Sequence, residues 1–336
     1  MCYEKNVSLI KLKENILFLG RESPLWIGLD EKQRDTEIER GYSGEMSYVI
    51  EVMKKNEIDF KTHFFEIEND FSKLSNIFKK SGANIVFCDF YNNLANSGTK
   101  KWIFSELERQ GIPHYLSSID TMNLMYDKIL CQKKLKSSGI EVLPFMSVDV
   151  NNVDNLNEFL KTHKKIILKP TQCYSSKGIA VFEDIHLAIN HTKFLKEHYS
   201  EVIAEKFLDR KREFQILIIG KKPEIFPVEV GIPLGKVYDR DMKEEHYKRY
   251  AVKSVDLYDK LIKLGKNIYD IFGICDLARI DVISNSNNKL YPIDVNGIPY
   301  LAKINPNSGK NASLTQIGKI YDRSYESLIL EILDLL

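Results

Sequence analysis

LARIDVISNSNNKLYPIDVNGIP, residues 277–299, reads as two short strands joined by a polar turn. The apolar runs around Ile280 to Ile283 and Leu290 to Val295 flank SNSNN, a cluster of turn formers. Asp281 lies in the first strand, and Asp294 and Asn296 lie two apart in the second, so the latter pair projects from one face. Across a hairpin the three oxygen side chains can converge. Hard divalent cations such as magnesium prefer oxygen ligands and usually bring phosphates with them, so the pattern suggests nucleotide chemistry. Asp and Asn are also good turn cappers, which is the plainer reading of the same residues.

A length of 336 residues favours two or three domains with a substantial core. The formal net charge of +1 gives no excess of positive charge that would argue for nucleic acid or an anionic membrane as a partner. The five cysteines, Cys2, Cys88, Cys131, Cys173 and Cys275, are odd in number and lack metal-ligand spacing, so they read as reduced thiols of a cytosolic protein. Cys173 pairs with no base and reads as non-nucleophilic. The histidines show no ligand pattern and read as surface residues. No apolar run approaches a transmembrane span, and the first residues lack the apolar core of a secretion signal. The expectation is a cytoplasmic protein with no membrane or nucleic-acid partner.

Outward from the hairpin, ILFLG after Asn15 and ANIVFCDF at 83–90 read as buried strands. Helical patterns at 47–56, 70–81 and 99–110 and an extended segment at 61–67 alternate with them, which implies a parallel sheet covered by helices. Residues 21–45 read as a long loop. A helix over 121–138 carries Lys128, VLPFMSV is a strand and DNLNEFLKTHK a helix. KKIILKP is an apolar strand ending on Lys169, where an unpaired charge would be costly. The loop TQCYSSKG, followed by a second strand, can fold backbone N–H groups over phosphates. A helix over 184–198 precedes EVIAEKFLD, a strand whose neighbour is taken to be REFQILIIG, so that Glu205 and Glu213 border a crevice. The helix over 255–272 has Leu257, Leu261, Leu264, Ile268 and Ile271 on one face, and SYESLILEILDLL closes the chain.

The ordered set Lys128, Lys169 with its Ser/Gly loop, Glu205, Glu213, Arg279, Asp281, Asp294 and Asn296 resembles the ATP-grasp superfamily, and within it the D-alanine:D-alanine ligase branch. The motifs are GIPHYLSS with MYDK, ILKP with SSKGI, LARIDV with IDVNGIP, and the closing NASLTQIGKIYDRSYESLILEIL. The resemblance implies an α/β architecture: an N-terminal parallel α/β domain (1–118), a central ATP-grasp subdomain with a phosphate flap (119–204) and a C-terminal subdomain with the metal site (205–336). It implies that Lys128 and Lys169 hold the α- and β-phosphates of ATP and that Ser175, Ser176 and Gly178 form the flap. Glu205 and the backbone of Lys206, Phe207 and Leu208 then meet adenine, and Glu213 meets the ribose. Asp281, Asp294 and Asn296 hold two Mg2+ (or Mn2+), Arg279 stabilises the oxyanion, and Ser313 and Lys243 complete the catalytic set. For the γ-phosphate, Lys248, Arg249 and Tyr250 are alternatives to Lys243, and Ser313 is also read as a helix N-cap. Glu22 is the candidate for the amine-binding glutamate.

The reaction so implied is ATP-dependent ligation of a carboxylate to an amine through an acylphosphate, on small amino-acid-like substrates, by a homodimer. Two features keep alternatives open. Asp294 stands where the family usually has glutamate, which leaves room for a catalytically weak ATP-binding regulatory protein. The loop between Pro299 and Ser313 is longer than the family's, which suits a ligase acting on a peptide or a biosynthetic intermediate.

Overall fold

The computed structural model describes residues 15–21, 45–65, 73–88, 103–149, 153–172, 178–199, 201–208, 212–232, 248–299, 301–304 and 311–335. Glu22, Cys173, Ser175, Ser176 and Lys243 lie outside them.

The apolar runs ILFLG and IVFC build two of the three strands of the first sheet. β1 (Ile16–Arg21), β2 (Phe60–Phe65) and β3 (Ile85–Cys88) pair in parallel in the order β2-β1-β3. Runs without polar alternation suit strands that are covered on both faces. The helices α1 (Glu45–Lys55), α2 (Leu74–Ser81) and α3 (Ile103–Arg109) alternate with and follow these strands.

The helical pattern over 121–138 is divided into α4 (Ile119–Tyr126) and α5 (Lys128–Ser137). Asp127 is the reason. Its backbone is extended (φ −85°, ψ 108°), and its carboxylate accepts the N–H groups of Ile129 at 2.9 Å and Leu130 at 3.0 Å. Such a cap contributes about 1 kcal/mol and starts a new helix at Lys128.

The middle of the chain forms β4 (Phe145–Val148), α6 (Val153–His163), β5 (Ile166–Pro170), β6 (Ala180–Phe182), α7 (Ile185–His198) and β7 (Val202–Lys206). Its four strands are antiparallel in the order β4-β7-β5-β6. Val148, Ile166, Leu168, Val202 and Ala204 line one face and form a core of their own with Leu156 and Leu160 of α6 and Ala188 and Leu195 of α7.

The remainder supplies β8 (Arg212–Ile219), β9 (Glu224–Val230), β10 (Arg249–Ala251), α8 (Val255–Phe272), β11 (Leu277–Ser284), β12 (Leu290–Asn296), α9 (Ser313–Ile320) and α10 (Tyr325–Ile332). Its antiparallel sheet has the order β10-β9-β8-β11-β12. β7 and β8 therefore belong to different sheets and are not neighbours, contrary to the sequence reading, and a boundary at 204/205 falls inside β7. α8 buries Leu257, Leu261, Gly265, Ile268 and Phe272, and Leu264 and Ile271 pack half-buried against the same core. Gly265 sets that face: a Cβ there would lie 3.0 Å from the Cγ2 atoms of both Ile216 and Ile225, so the helix backbone comes close to β8 and β9.

One continuous core joins the first sheet to the last. Tyr115 Oη donates to the Leu333 carbonyl at 2.8 Å, and the Leu116 N–H donates to Asp276 Oδ2 at 2.8 Å. His114 is not a surface residue, because its side chain is buried against the Phe104 ring. Cys88 and Cys131 are buried, and Cys275 is disulfide-bonded, so the cysteines are not all reduced.

Candidate active site

β11 and β12 form the hairpin expected from residues 277–299, closed by Asn285, whose Oδ1 accepts the N–H groups of Asn287 at 2.9 Å and Lys289 at 3.0 Å. Its register places Asp281 opposite Asp294 and Arg279 opposite Asn296. Directly opposed residues share a face, with Cβ atoms about 4.5–5.5 Å apart. The pairing slips between Asp281 and Val282, whose partners are Asp294 and Pro292. The bulge leaves Ile293 unmatched and re-aims the strand where the acidic pair begins.

Asp281 is held from two sides. Arg279 donates to it twice, Nε to Oδ1 at 2.9 Å and Nη2 to Oδ2 at 3.1 Å. From β8, Gln215, opposite Asp281, donates Nε2 to Oδ1 at 3.1 Å, and Arg249 Nε donates to Gln215 Oε1 at 2.8 Å. Glu213, two residues before Gln215, is buried on the same face. Asn296 Oδ1 accepts the Ile298 N–H at 3.0 Å, so the turn-capping reading holds for this residue; a carbonyl oxygen has a second lone pair for a ligand. Gln215 is not among the residues that the sequence assigns to the site, and Arg249 stands there only as an alternative γ-phosphate contact. The alternation of β8 carried the signal for Gln215, since any residue two from Glu213 shares its face.

The polar face of the middle sheet is built around Lys169 and Glu205. Glu205 is opposite Ile167, which puts Lys169, two residues on, on the same face. Lys169 Nζ donates to Glu205 Oε2 at 2.5 Å with both side chains buried, and Glu205 Oε1 is buried without a hydrogen-bond partner among the described residues. Glu205 thus pairs with Lys169, and Arg212 pairs with Glu229 on β9. At the end of β7, the Lys206 N–H donates to the Pro144 carbonyl and the Phe207 N–H to the Lys165 carbonyl, each at 2.9 Å. Leu208 is half-buried beside them. Gly178 stands at φ +71°, where a Cβ would come within 2.6 Å of Leu195 Cδ2, and its carbonyl contacts His191 Nε2 at 3.0 Å.

α5 ties the two sheets together. The Lys128 N–H donates to the Thr171 carbonyl at the end of β5, and Gln132 Nε2 donates to the Pro292 carbonyl of β12 at 3.2 Å. Between them, burial pushes the Cys131 thiol well above its ordinary range; Asp294 and Glu205 add to the rise and Lys128 opposes it. One buried sulfur therefore feels charges from α5, from the middle sheet and from the hairpin, so these candidates converge. Ser313 is the first residue of α9 and not its cap, which is Ala312 with no side-chain hydrogen bond.

These donors fit the groups that the sequence implies. Among the described residues no cluster of three or more His, Cys, Asp or Glu could hold a metal. A cation here would rest on two carboxylates and an amide oxygen and take its other ligands from phosphates and water, as magnesium commonly does. The buried, unsatisfied Glu205 Oε1 fits a donor such as the amino group of a purine.

Residues 135–319, more than half of the chain, match the family model for the D-ala D-ala ligase C-terminus. A D-alanine–D-alanine ligase of Pseudoalteromonas translucida is 25% identical over 258 residues, covering 74% of this chain and 78% of its own. One of Limosilactobacillus reuteri is 24% identical, covering 96% and 80%. Among solved structures, the Bacillus anthracis D-alanine–D-alanine ligase complexed with ATP superposes with a TM-score of 0.68 at 17% identity, covering 96% of this chain and 97% of its own. The Enterococcus faecalis VanG D-Ala:D-Ser ligase gives 0.69 at 17%, covering 96% and 99%. The architecture is thus that of the ATP-grasp ligases.

Proposed function

The chain belongs to the D-alanine–D-alanine ligase family of ATP-dependent, ADP-forming carbon–nitrogen ligases, and from that premise we propose that it joins the carboxyl group of one small amino acid to the amine of another. The observation that carries the reading is the meeting of two polar sheet faces at α5: Asp281 opposite Asp294 on one, and buried Lys169 with Glu205 on the other.

In the proposed reaction, a carboxylate oxygen of the first amino acid attacks the γ-phosphorus of ATP and displaces ADP. The amine nitrogen of the second then attacks the acyl carbon and loses a proton as inorganic phosphate leaves. Phosphoryl transfer needs positioning and neutralisation of charge more than covalent help. Lys128 and Lys169 are assigned to the phosphates, Glu205 with residues 206–208 to adenine and Glu213 to ribose. Magnesium ions on Asp281, Asp294 and Asn296 would neutralise the transferring phosphate. Arg279, beside Asp281, is assigned to the oxyanion of the second step. Ser175, Ser176 and Gly178 as flap, and Ser313 and Lys243 at the substrates, complete the proposal.

D-Alanine is the first candidate for both substrates, and the Enterococcus faecalis neighbour keeps D-serine open as the second. A ligase consuming ATP works where ATP is replenished, so the reading places the protein in the cytoplasm; no described helix is long and apolar enough to cross a membrane. A homodimer and the three-part division of the chain belong to the same proposal, checked by light scattering and limited proteolysis.

The test is ADP release with ATP and Mg2+ across pairs of D- and L-amino acids and short peptides, with the product identified by mass spectrometry. Release that requires two amino acids and yields their dipeptide is expected. ATP binding without turnover on any pair would instead favour a binding protein, and turnover with peptide acceptors alone a peptide ligase. Asp294→Ala is expected to abolish magnesium-dependent turnover; retained activity would sink its assignment to the metal.

A further inference from the structure

We propose that Gln215 is a positioning residue which, anchored by Arg249, orients the carboxylate of Asp281 for the metal. The proposal rests on the ligase reading for the identity of the metal site, but its geometry is independent of which substrates are joined.

The orientation of the Gln215 amide is fixed by chemistry. A guanidinium only donates and an ionised carboxylate only accepts, so Oε1 must face Arg249 and Nε2 must face Asp281. Turned over, the amide would set donor against donor at one end and acceptor against acceptor at the other. The hydrogen bonds therefore run in one direction, from Arg249 to Gln215 to Asp281. Asp281 receives two N–H donors on Oδ1, from Gln215 and Arg279, and one on Oδ2 from Arg279. Acceptor capacity remains greater at Oδ2, which is the oxygen this arrangement reserves for a cation.

Placement in the fold makes the tie stiff. Gln215 lies on β8, the central strand of the five, and is 1% exposed. Arg249 is on the edge strand β10, opposite Val230, and Gln215 is opposite Val228. The short valine side chains of β9 let the guanidinium reach across that strand. The Arg249 N–H is itself pinned by Gln316 Oε1 of α9 at 3.1 Å, and Gln316 Nε2 donates to the Asn311 carbonyl at 2.8 Å. The helix that begins at Ser313 is thus connected to Asp281 through three named side chains. Residues that orient a metal ligand commonly change metal affinity by about 10- to 100-fold when removed.

The experiment measures Mn2+ affinity by electron paramagnetic resonance of free Mn2+, with ADP present, for the full chain and for Gln215→Leu, Arg249→Met and the double variant. Each single variant is expected to bind Mn2+ about 10-fold or more weakly, and the double variant no more weakly than the worse single, because both act through one contact. Thermal melting establishes that each variant is folded. Should Gln215→Leu fail to fold, Arg249→Met, which leaves Gln215 in place, reads the same tie from its other end. Unchanged Mn2+ affinity in a folded single variant, or fully additive losses in the double, overturns the proposal. A wild type that releases no ADP with any amino-acid pair sinks the ligase reading instead, and the Mn2+ titration still decides this one.

Discussion

Lys169 and Glu205 show what a single pair of residues contributes. Their side chains are 8% and 3% exposed, so each charge depends on the other for its stability. Removing one partner of a buried pair costs about 3–5 kcal/mol, whereas replacing both with apolar groups is often neutral. Lys169→Met is therefore expected to lower stability by about 3–5 kcal/mol in denaturant unfolding and to abolish ATP binding measured by calorimetry. Adding Glu205→Leu is expected to restore most of the stability while binding stays lost. Recovery of ATP binding in the double variant would show that neither side chain meets the nucleotide. The sequence made Lys169 conspicuous as a charge ending an apolar strand, but not its partner, 36 residues away, because strand pairing and not proximity along the chain brings them together.

At the scale of the element, Gly178 and α10 give two contrasting cases. Gly178 precedes β6 at a positive φ and packs on Pro170 and Leu195. Gly178→Ala adds about 1–2 kcal/mol of backbone strain as well as the clash, and is expected to lower the melting temperature and raise the KM for ATP; an unchanged KM would confine the glycine to a packing role. α10 is tied to α1 through Glu326, which bonds Lys55 and Asn56. The Lys55 hydrogen bond leads the causes that hold the Glu326 carboxyl below its usual 4.5. A depressed carboxylate contributes stability that is present above its unfolded value and lost as pH falls through the folded one. Glu326→Gln is accordingly expected to melt lower than the wild type at pH 7, with the gap closing below pH 4.5. A gap independent of pH would mean that packing, not charge, makes the tie. Capping and periodicity made most elements legible, yet α4 and α5 read as one helix because Asp127 could be a surface residue until its carboxylate was seen to cap α5. β9 went unread because Pro227 lies inside it, and proline argues against a central strand.

For the whole molecule, the division of the core matters most. The first and last sheets share one large core, whereas the middle sheet has a small one around Leu168, Leu195 and Val202. Regions with fewer buried apolar contacts open at lower free energy. Hydrogen exchange is therefore expected to be faster at the amides of β5 and β7 than at those of β8 and β11. Saturating ATP with Mg2+ is expected to slow both, since a ligand at about 100 times its Kd adds ~2.7 kcal/mol to the state that binds it. Equal protection without ligand would mean that the two cores open as one.

The sequence by itself determined the hairpin, the parallel sheet and the order of lysines, glutamates and aspartates along the chain, because period, turn chemistry and motif spacing are local properties. It also pointed to the family, which the match over residues 135–319 shows. Only the tertiary structure decided that β7 and β8 belong to different sheets and that Asp281 is clamped by both Arg279 and Gln215. In the same way it set Arg249 of β10 against Gln215, to whose Oε1 its Nε donates. Each of these depends on which strands lie side by side, and that is set by a shared apolar core drawn from distant parts of the chain, a quantity no window of sequence contains.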